Sequence, residues 1–291
     1  MSDRPGPGMA PQGLLAIFAH PDDESFGMAG TLALAAEAGL PVNVVCATDG
    51  DLGGEGGTVA ERVMDPEIRR GELRDACRAM GIGEPVFLGY GDSGMEGWGP
   101  PPGSLVLADP DEVVSRIVAV LRELRPAIVV TFDPNGIYGH PDHRAISRLA
   151  TEGYRRAAAD PDGPRALYHQ VVAQTQLWAL GNMFAALESA DEGERPAPTD
   201  DDRAQQQAFA AFAIPDDAID VAVDVRSVID RKLAAMRAHA TQIRMPDGGI
   251  PPAMVESMEA ALGRECFVRV DPQRVPGQRR TSLWEQPGGS R

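Results

Sequence analysis

Four short apolar runs recur at regular intervals in the first half of the chain. Each run is almost wholly apolar rather than alternating, which is typical of strands that are buried on both faces. The runs occupy residues 14–19, 42–47, 85–88 and 127–132. The pattern therefore predicts four strands of a sheet that is covered on both sides.

Helical periodicity follows each of these predicted strands. Asp109 has the position of an N-cap with Pro110 behind it, and glycines stop the first two helices. The predicted helices are Thr31–Gly39, Pro66–Met80, Asp109–Leu124 and one from His140 or Pro141 to about Ala159. Strand and helix in this rhythm predict an α/β fold with a Rossmann-like, mostly parallel sheet flanked by helices.

The same pattern divides the chain into three parts. Residues 1–12 are predicted to be a flexible N-terminus, and 13–160 to be a Rossmann-like catalytic core. Residues 161–291 are predicted to be a smaller C-terminal α/β portion that completes the site, with a mobile acidic segment near 188–207. Within that portion we expect a strand or buried segment at 168–178, a strand at 219–225 and a helix at 228–242.

Strand order decides where polar side chains meet. If the order is 3-2-1-4, the first and fourth strands are neighbours at the topological switch point, where α/β sheets bind ligands at their carboxyl ends. His20 follows the first strand, and His140 and His143 follow the fourth. We therefore expect these three histidines to share one crevice.

The two histidine motifs are His-Pro-Asp-Asp-Glu at 20–24 and His-Pro-Asp-His at 140–143. A catalytic zinc usually has three protein ligands, and we predict His20, Asp23 and His143. Asp23 can fold back toward His20 in a tight turn, and the second histidine pair can face one side of a first helical turn. Zn²⁺ is the predicted ion, and Fe²⁺ can fill the same set of ligands.

Two further carboxylates lie beside the predicted ligands. Asp22 is the better candidate for a general base that takes a proton from water, because it sits between the ligands. A hydrogen bond to a ligating histidine is its alternative role. Glu24 is predicted to cap the following helix or to orient a ligand.

The motifs AHPDDES at 19–25 and GHPDHR at 139–144 resemble those of the LmbE-like, or PIG-L, family of zinc-dependent N-acetylglucosaminyl deacetylases. The whole set is most similar to the deacetylase and conjugate amidase of mycothiol metabolism. Further similar segments are TDGDLGG at 48–54, RRGELRDA at 69–76, DSGM at 92–95, TFDPNGIYGHPDH at 131–143 and MRAHATQ at 236–242. The resemblance covers about residues 12–158 and the helix near 239.

This resemblance implies the same three ligands and Asp22 as the general base. It further implies that His140 is a non-ligand that assists as an acid or stabilises the oxyanion. Tyr138 would lie on a mobile loop and polarise the amide carbonyl. Arg69 and Asp92 match positions that contact the sugar–inositol substrate, although a solvated arginine and an Asx-turn aspartate are their ordinary alternatives.

The sequence leaves open the role of one histidine and of one loop. His239 either supports the metal site from outside the ligand set or packs in the core. The loop 94–104, with Trp98 and three consecutive prolines, departs from the mycothiol-type pattern. The resemblance therefore leaves the exact sugar open.

The sequence thus predicts a zinc-dependent deacetylase that hydrolyses an N-acyl amide, acetyl in the first instance, on an amino sugar such as an N-acetylglucosaminyl conjugate. An amidase acting on a mycothiol-type conjugate or a secondary-metabolite amide stays open, as does a nucleotide-binding or ligand-sensing Rossmann domain without hydrolysis. No GxGxxG motif follows the first strand, which argues against a dinucleotide.

Composition limits the classes of molecule that the protein is expected to bind. A formal net charge of −16 repels polyanions, so we expect neither nucleic acid nor an anionic membrane surface as a partner. The three cysteines are widely spaced, and the chain shows neither a signal-peptide pattern nor an apolar run long enough to span a bilayer. We expect a soluble cytoplasmic enzyme with a small-molecule amino-sugar substrate, and a homo-oligomer is compatible with the sequence.

Overall fold

The computed structural model describes residues 12–54, 56, 58–177, 179, 211–242, 259–273 and 279–284. Residues 1–11 of the predicted flexible N-terminus and the acidic segment near 188–207 lie outside these described residues. So does Trp178, the last residue of one predicted strand or buried segment. In the described part of the chain, no helix is both long and apolar enough to cross a bilayer.

Seven strands of the described chain form one sheet, in the order β3-β2-β1-β4-β5-β7-β6. Neighbours from β3 to β5 are parallel, and β7 runs antiparallel to both β5 and β6. The strands are β1 (Leu14–Phe18), β2 (Val42–Thr48), β3 (Val86–Tyr90), β4 (Ile128–Phe132), β5 (Ala166–Val171), β6 (Val221–Asp224) and β7 (Arg264–Asp271). The predicted α/β class and the predicted order of the first four strands are confirmed.

The main α-helices are α1 (Asp23–Glu37), α2 (Val59–Arg62), α3 (Pro66–Met80), α4 (Pro110–Leu124), α5 (Gly136–Gly139), α6 (Pro141–Ala158) and α7 (Ile229–Ala238). Residues 174–177 and 259–262 are helical as well. Five of these helices correspond to predicted ones, whereas the short helices α2 and α5 were not predicted. Asp109 caps α4 by accepting the N–H of Asp111, and Gly81 ends α3 in the left-handed conformation.

The predicted start of the first helix is wrong. Helix α1 begins at Asp23 rather than at Thr31, and it is broken at Met28 (φ −154°, ψ 21°). Its first turn is formed by motif residues and glycine, which carry no apolar periodicity. The carboxylate of Glu265 accepts the N–H groups of Gly30 (3.0 Å) and Thr31 (2.7 Å) just after the break. Such contacts satisfy donors that an interrupted helix leaves without partners.

The C-terminal part of the described chain departs from the prediction in three places. Strand β5 ends at Val171, and residues 174–177 of the predicted strand or buried segment are helical. Strand β7 was not predicted, because buried Glu265 and three further charged residues interrupt its apolar pattern. Helix α7 ends at Ala238 instead of Gln242, since His239 leaves the helical conformation (φ −86°, ψ 55°). The four residues that leave this helix reach the site described next.

Candidate active site at the carboxyl edge of the sheet

Neighbouring strands bring the two histidine motifs together. Strands β1 and β4 are paired in parallel, with Leu14 opposite Ile128, so their carboxyl ends lie at the same edge. His20 lies two residues beyond β1. After β4, His140 is the N-cap of α6, and His143 lies in the first turn of that helix. The predicted crevice is therefore present.

The side chains of the three predicted ligands converge. Nδ1 of His20 lies 3.1 Å from Nε2 of His143, which lies 3.2 Å from Oδ1 of Asp23. Oδ2 of Asp23 lies 3.7 Å from Nδ1 of His20. Zinc–nitrogen distances of about 2.0–2.1 Å separate the ligand atoms of a tetrahedral site by about 3.3–3.4 Å. The donor set thus has the chemistry that a divalent ion requires, and the two carboxylate oxygens of Asp23 each lie close to one of the two histidines.

Two further groups of possible donors overlap the predicted one. Ligand atoms lie within 4.8 Å of one another in His20, His140 and His143, and likewise in His20, Asp92, His140 and Asp142. On this side, Nε2 of His20 lies 3.3 Å from Oδ2 of Asp142 and 3.6 Å from Oδ1 of Asp92. A metal-ligating histidine generally donates its other ring N–H to a carboxylate. This arrangement favours Nδ1 of His20 as the donor atom and Asp142 as the group that orients the ring.

Asp142 is a site residue that the sequence analysis missed. Its side chain is fully buried, and it accepts hydrogen bonds from the backbone N–H and the hydroxyl of Ser93. The signal was present, because Asp142 is the acidic member of the second histidine motif and Ser93 belongs to the DSGM segment. Their pairing could not be read from either segment alone.

Asp22 has an unusual backbone. Its φ of 131° is uncommon for a residue with a side chain and persists only when the surroundings fix it. Its N–H donates to Oε2 of Glu24 (3.1 Å), and its Oδ2 accepts from Nη2 of Arg69 (3.0 Å). Burial raises the pKa of Asp22 to about 6, although the Arg69 guanidinium opposes the shift. The side chain keeps 19% of its surface exposed.

Arg69 and Asp92 were predicted to contact substrate, and that stays a prediction. Arg69 is only 2% exposed and donates to the carbonyls of Gly50 and Pro21 as well as to Asp22. Asp92 accepts the N–H of Gly94 at 2.8 Å in a local turn. It also lies 4.0 Å from Nε2 of His140. Arg69 therefore lies beneath the Asp22 turn, and Asp92 forms one wall of the site.

The tautomer of His140 follows from its backbone contact. Its Nδ1 accepts the N–H of Asp142 at 3.2 Å, so the ring proton of the neutral form lies on Nε2. Burial, together with the imidazoles of His20 and His143, lowers the pKa of His140 to about 4. His140 is therefore a neutral imidazole whose Nε2–H can donate a hydrogen bond.

Tyr138 stands at the edge of the same site. Its ring centroid lies 4.9 Å from that of His143 and 6.1 Å from that of His140, and the residue is 37% exposed. Burial of the phenol, with added effects of Asp23 and Asp22, raises its pKa well above the usual value. A phenol in this state stays protonated and can donate a hydrogen bond.

Glu24 and His239 form a contact that the sequence left open. Nε2 of His239 donates to Oε1 of Glu24 at 2.8 Å, and the two residues are 0% and 1% exposed. Burial alone would lower the pKa of His239, but the Glu24 carboxylate raises it. Beyond His239, Thr241 donates to Glu72 and Gln242 donates to the carbonyl of Gly53.

The chain is similar to known deacetylases. The family model described as PIG-L, GlcNAc-PI de-N-acetylase, matches residues 15–154. Two 1D-myo-inositol 2-acetamido-2-deoxy-alpha-D-glucopyranoside deacetylases are similar over most of their length. That of Rhodococcus opacus is 35% identical over 90% of this chain and 92% of the relative. That of Salinispora arenicola is 37% identical over 87% and 81%.

A solved structure supports the fold. The N,N'-diacetylchitobiose deacetylase from Pyrococcus horikoshii, in complex with an inhibitor, superposes with a TM-score of 0.54. It shares 23% sequence identity, and the match covers 89% of this chain and 84% of the deacetylase. At this identity the likeness concerns the arrangement of strands and helices alone.

Proposed function

We propose that this chain, which belongs to the PIG-L family of de-N-acetylases, hydrolyses the N-acetyl amide of an N-acetylglucosaminyl conjugate to acetate and the free amine. The observation that carries the proposal is the convergence of His20, Asp23 and His143 beside Asp22. A donor set for a divalent ion and a carboxylate suited to proton transfer are the two parts that amide hydrolysis requires.

The proposed substrate is the N-acetylglucosaminyl-inositol on which the named relatives act. Support comes from 35–37% identity over most of both chains. The buried, unpaired cysteines Cys46, Cys77 and Cys266 suit a reducing compartment, so we place the reaction in the cytoplasm.

His20, Asp23 and His143 would hold the ion, with Zn²⁺ as the first candidate and Fe²⁺ as the second. When bound, a divalent ion supplies Lewis acidity toward water and the amide carbonyl. The carboxylate of Asp142 keeps the proton of His20 on Nε2, so Nδ1 presents its lone pair to the donor set. Its own contacts with Ser93 hold that carboxylate in place.

Asp22 acts as the general base in this proposal. It accepts a proton from the attacking water and passes it to the leaving nitrogen. A pKa of about 6 keeps the carboxylate ionised near pH 7 and still able to hold the proton between the two transfers. Arg69 fixes Oδ2, which orients the carboxylate within the site.

His140 and Tyr138 stabilise the charge that develops on the carbonyl oxygen. A neutral imidazole with its proton on Nε2 is a hydrogen-bond donor rather than a cationic acid. This favours oxyanion stabilisation over proton donation for His140. The protonated phenol of Tyr138 can add a second donor from the exposed side.

The test is a comparison of substrates with the metal-loaded full chain. Acetate release should be measured with N-acetylglucosaminyl-inositol, N-acetylglucosamine and a mycothiol-type thiol conjugate, with Asp22→Asn as the control. Acetate release from the inositol conjugate that Asp22→Asn lowers by at least about 100-fold supports the proposal. Cleavage of the thiol conjugate without acetate release would instead establish the amidase. No hydrolysis of any of these by the metal-loaded wild type would overturn the assignment.

A further inference from the structure

Residues 239–242 cross from the end of α7 to three different elements of the site. His239 reaches Glu24 in the first turn of α1, and Thr241 reaches Glu72 on α3. Gln242 donates to the carbonyl of Gly53 in the loop after β2 (3.2 Å). One short segment therefore connects parts of the site that are far apart in the chain.

The first connection leads to the backbone of Asp22. Glu24 accepts from Nε2 of His239 on Oε1 and from the N–H of Asp22 on Oε2, at 2.8 and 3.1 Å. The hydroxyl of Ser25 also donates to Oε1. Because φ of Asp22 is 131°, its peptide needs an acceptor fixed in that direction. Glu24 supplies this acceptor, and His239 fixes Glu24.

The second connection leads to the carboxylate of Asp22. The N–H and hydroxyl of Thr241 donate to Oε1 and Oε2 of Glu72, at 2.8 and 2.7 Å. Oε2 of Glu72 lies 3.8 Å from Nε of Arg69, one turn away on the same helix. Arg69 in turn donates to Oδ2 of Asp22. The segment therefore acts on both ends of the same aspartate.

A buried ion pair fixes helix α7, which carries His239 at its end, close to α1. Lys232, the only lysine of the chain, lies on α7 and pairs with Glu265 at 2.6 Å, with both side chains 1% exposed. Glu265 also holds the N–H groups of Gly30 and Thr31 in α1. The helix that delivers His239 is thus tied to the helix whose first turn carries Glu24.

We propose that residues 239–242 form a positioning clamp for Asp22, in which His239 holds the strained peptide through Glu24 and Thr241 holds the carboxylate through Glu72 and Arg69. The proposal rests on the proposed function insofar as Asp22 is the general base. Among the described residues, His239 makes no hydrogen bond to a predicted metal ligand. We therefore assign the clamp to proton transfer rather than to metal retention.

The first experiment needs no enzymatic activity. Amide hydrogen exchange of the segment 19–26 is measured by mass spectrometry in the metal-loaded full chain, for the wild type, His239→Leu and His239→Gln. Glutamine can keep an N–H donor toward Glu24, whereas leucine cannot. We expect exchange at least about 10-fold faster in His239→Leu and within about 3-fold of the wild type in His239→Gln. Equal exchange in all three proteins would overturn the clamp.

The second experiment separates positioning from general structural damage. His239→Leu should lower kcat by about 10–100-fold, while KM and bound metal stay unchanged and His239→Gln restores most of the rate. In an Asp22→Asn background the same substitution should cost no further activity, because it acts through the missing group. An equal loss in both backgrounds, or a loss of bound metal, would contradict the proposal.

Thr241 provides variants that tolerate change, because this residue is exposed. Thr241→Val should lower kcat with KM unchanged, and Thr241→Ser should not lower it. If His239→Leu does not fold, this pair of variants tests the proposal in its place. Identical kcat in both Thr241 variants would overturn the carboxylate arm. If the wild type hydrolyses no N-acetyl amino sugar, the proposed function fails, and the exchange data still decide the clamp.

Discussion

Ser93 donates both its backbone N–H and its hydroxyl to the carboxylate of Asp142, which lies 49 residues later in the chain. This double contact fixes a fully buried carboxylate whose Oδ2 lies 3.3 Å from Nε2 of His20. The ring of His20 is thereby held with Nδ1 toward His143 and Asp23. The geometry of the proposed metal site therefore depends on Ser93 and Asp142, which are not among its proposed ligands.

Asp142→Asn should weaken metal binding by about 10–100-fold, the usual cost of losing a carboxylate behind a ligating histidine. An amide can donate to Nε2 of His20 and so favour the wrong tautomer. The affinity is measured by competition with a chromophoric chelator at fixed pH. Asp111→Asn is the matched control, because Asp111 has a side chain 82% exposed on α4. Equal affinities in the two variants would show that Asp142 does not orient the ligand.

Asp22→Asn and Asp23→Asn make the same chemical change at adjacent positions and should have opposite consequences. Asp22→Asn should keep the metal and lower kcat by at least about 100-fold, because proton transfer is lost. Asp23→Asn should lose metal, since its carboxylate lies 3.2 Å from Nε2 of His143. Metal content is measured by elemental analysis and kcat by acetate release. If Asp22→Asn lost its metal and Asp23→Asn kept it, Asp22 would be the metal ligand and Asp23 the general base.

The strands and their order in the sheet could largely be predicted from the sequence. Strands covered on both faces are continuous apolar runs, and their order places the ends of β1 and β4 together. The convergence of His20 and His143 follows from that order without any knowledge of side-chain packing. What could be predicted therefore depends on local pattern and topology.

The rest depends on contacts between distant parts of the chain. The hydrogen bond from His239 to Glu24 spans 215 residues, and it requires α7 to end at Ala238 and to pack against α1. Glu265 is buried in β7 because Lys232 neutralises it, so a pattern of apolar residues does not reveal this strand. Such partners are determined only by tertiary packing.

Trp98 is expected to shape the mouth of the site. Its ring packs over Gly94, two residues from Asp92, and the Arg62 guanidinium carbon lies 4.8 Å from the ring centroid. Aromatic faces held in this way offer a flat apolar surface. Trp98→Ala should raise KM for N-acetylglucosaminyl-inositol by about 5–10-fold and leave kcat unchanged, as loss of uniform binding does.

A smaller substrate is the control for Trp98→Ala. N-Acetylglucosamine lacks the inositol, so its KM should differ by less than about 2-fold between the wild type and Trp98→Ala. Trp98→Phe should restore binding of the conjugate, because it keeps an aromatic face. A proportional rise of KM for both substrates would place Trp98 against the sugar instead of the inositol.

His169 should make the protein less stable in mild acid. Burial lowers its pKa to about 4, while the nearby carboxylate of Asp133 opposes the shift. The unfolded chain, with an ordinary histidine pKa of about 6.5, binds a proton before the folded protein does. The contribution of neutral His169 to the free energy of unfolding is therefore complete above pH 6.5 and is lost between pH 6.5 and pH 4.

His169→Gln should remove this part of the pH dependence, which amounts to about 2–4 kcal/mol for a shift of this size. Urea unfolding at pH 7.5 and pH 4.5 gives the free energy of unfolding for both proteins. The wild type should lose more stability than the variant on acidification. Parallel losses would mean that His169 is protonated in the folded protein and that Thr151, 3.4 Å away, does not require its neutral form.

Lys232→Met should destabilise the fold strongly. The ion pair between Lys232 and Glu265 is almost completely buried, and removal of one partner leaves an uncompensated charge. Such a change typically costs about 3–5 kcal/mol in the free energy of unfolding. Arg156→Met is the matched control, because Arg156 and Glu152 form a half-exposed pair on α6 that solvent screens, so its loss should change the free energy of unfolding far less.

The double variant Lys232→Met, Glu265→Gln identifies the source of the loss. A neutral glutamine needs no cation, and its single carbonyl oxygen can still accept one of the two N–H groups of Gly30 and Thr31, so part of the stability should return. The three free energies are measured by urea unfolding at pH 7.5. If the double variant is less stable than Lys232→Met alone, the charge of Glu265 itself holds α1 at its break, because the two substitutions then fail to compensate each other.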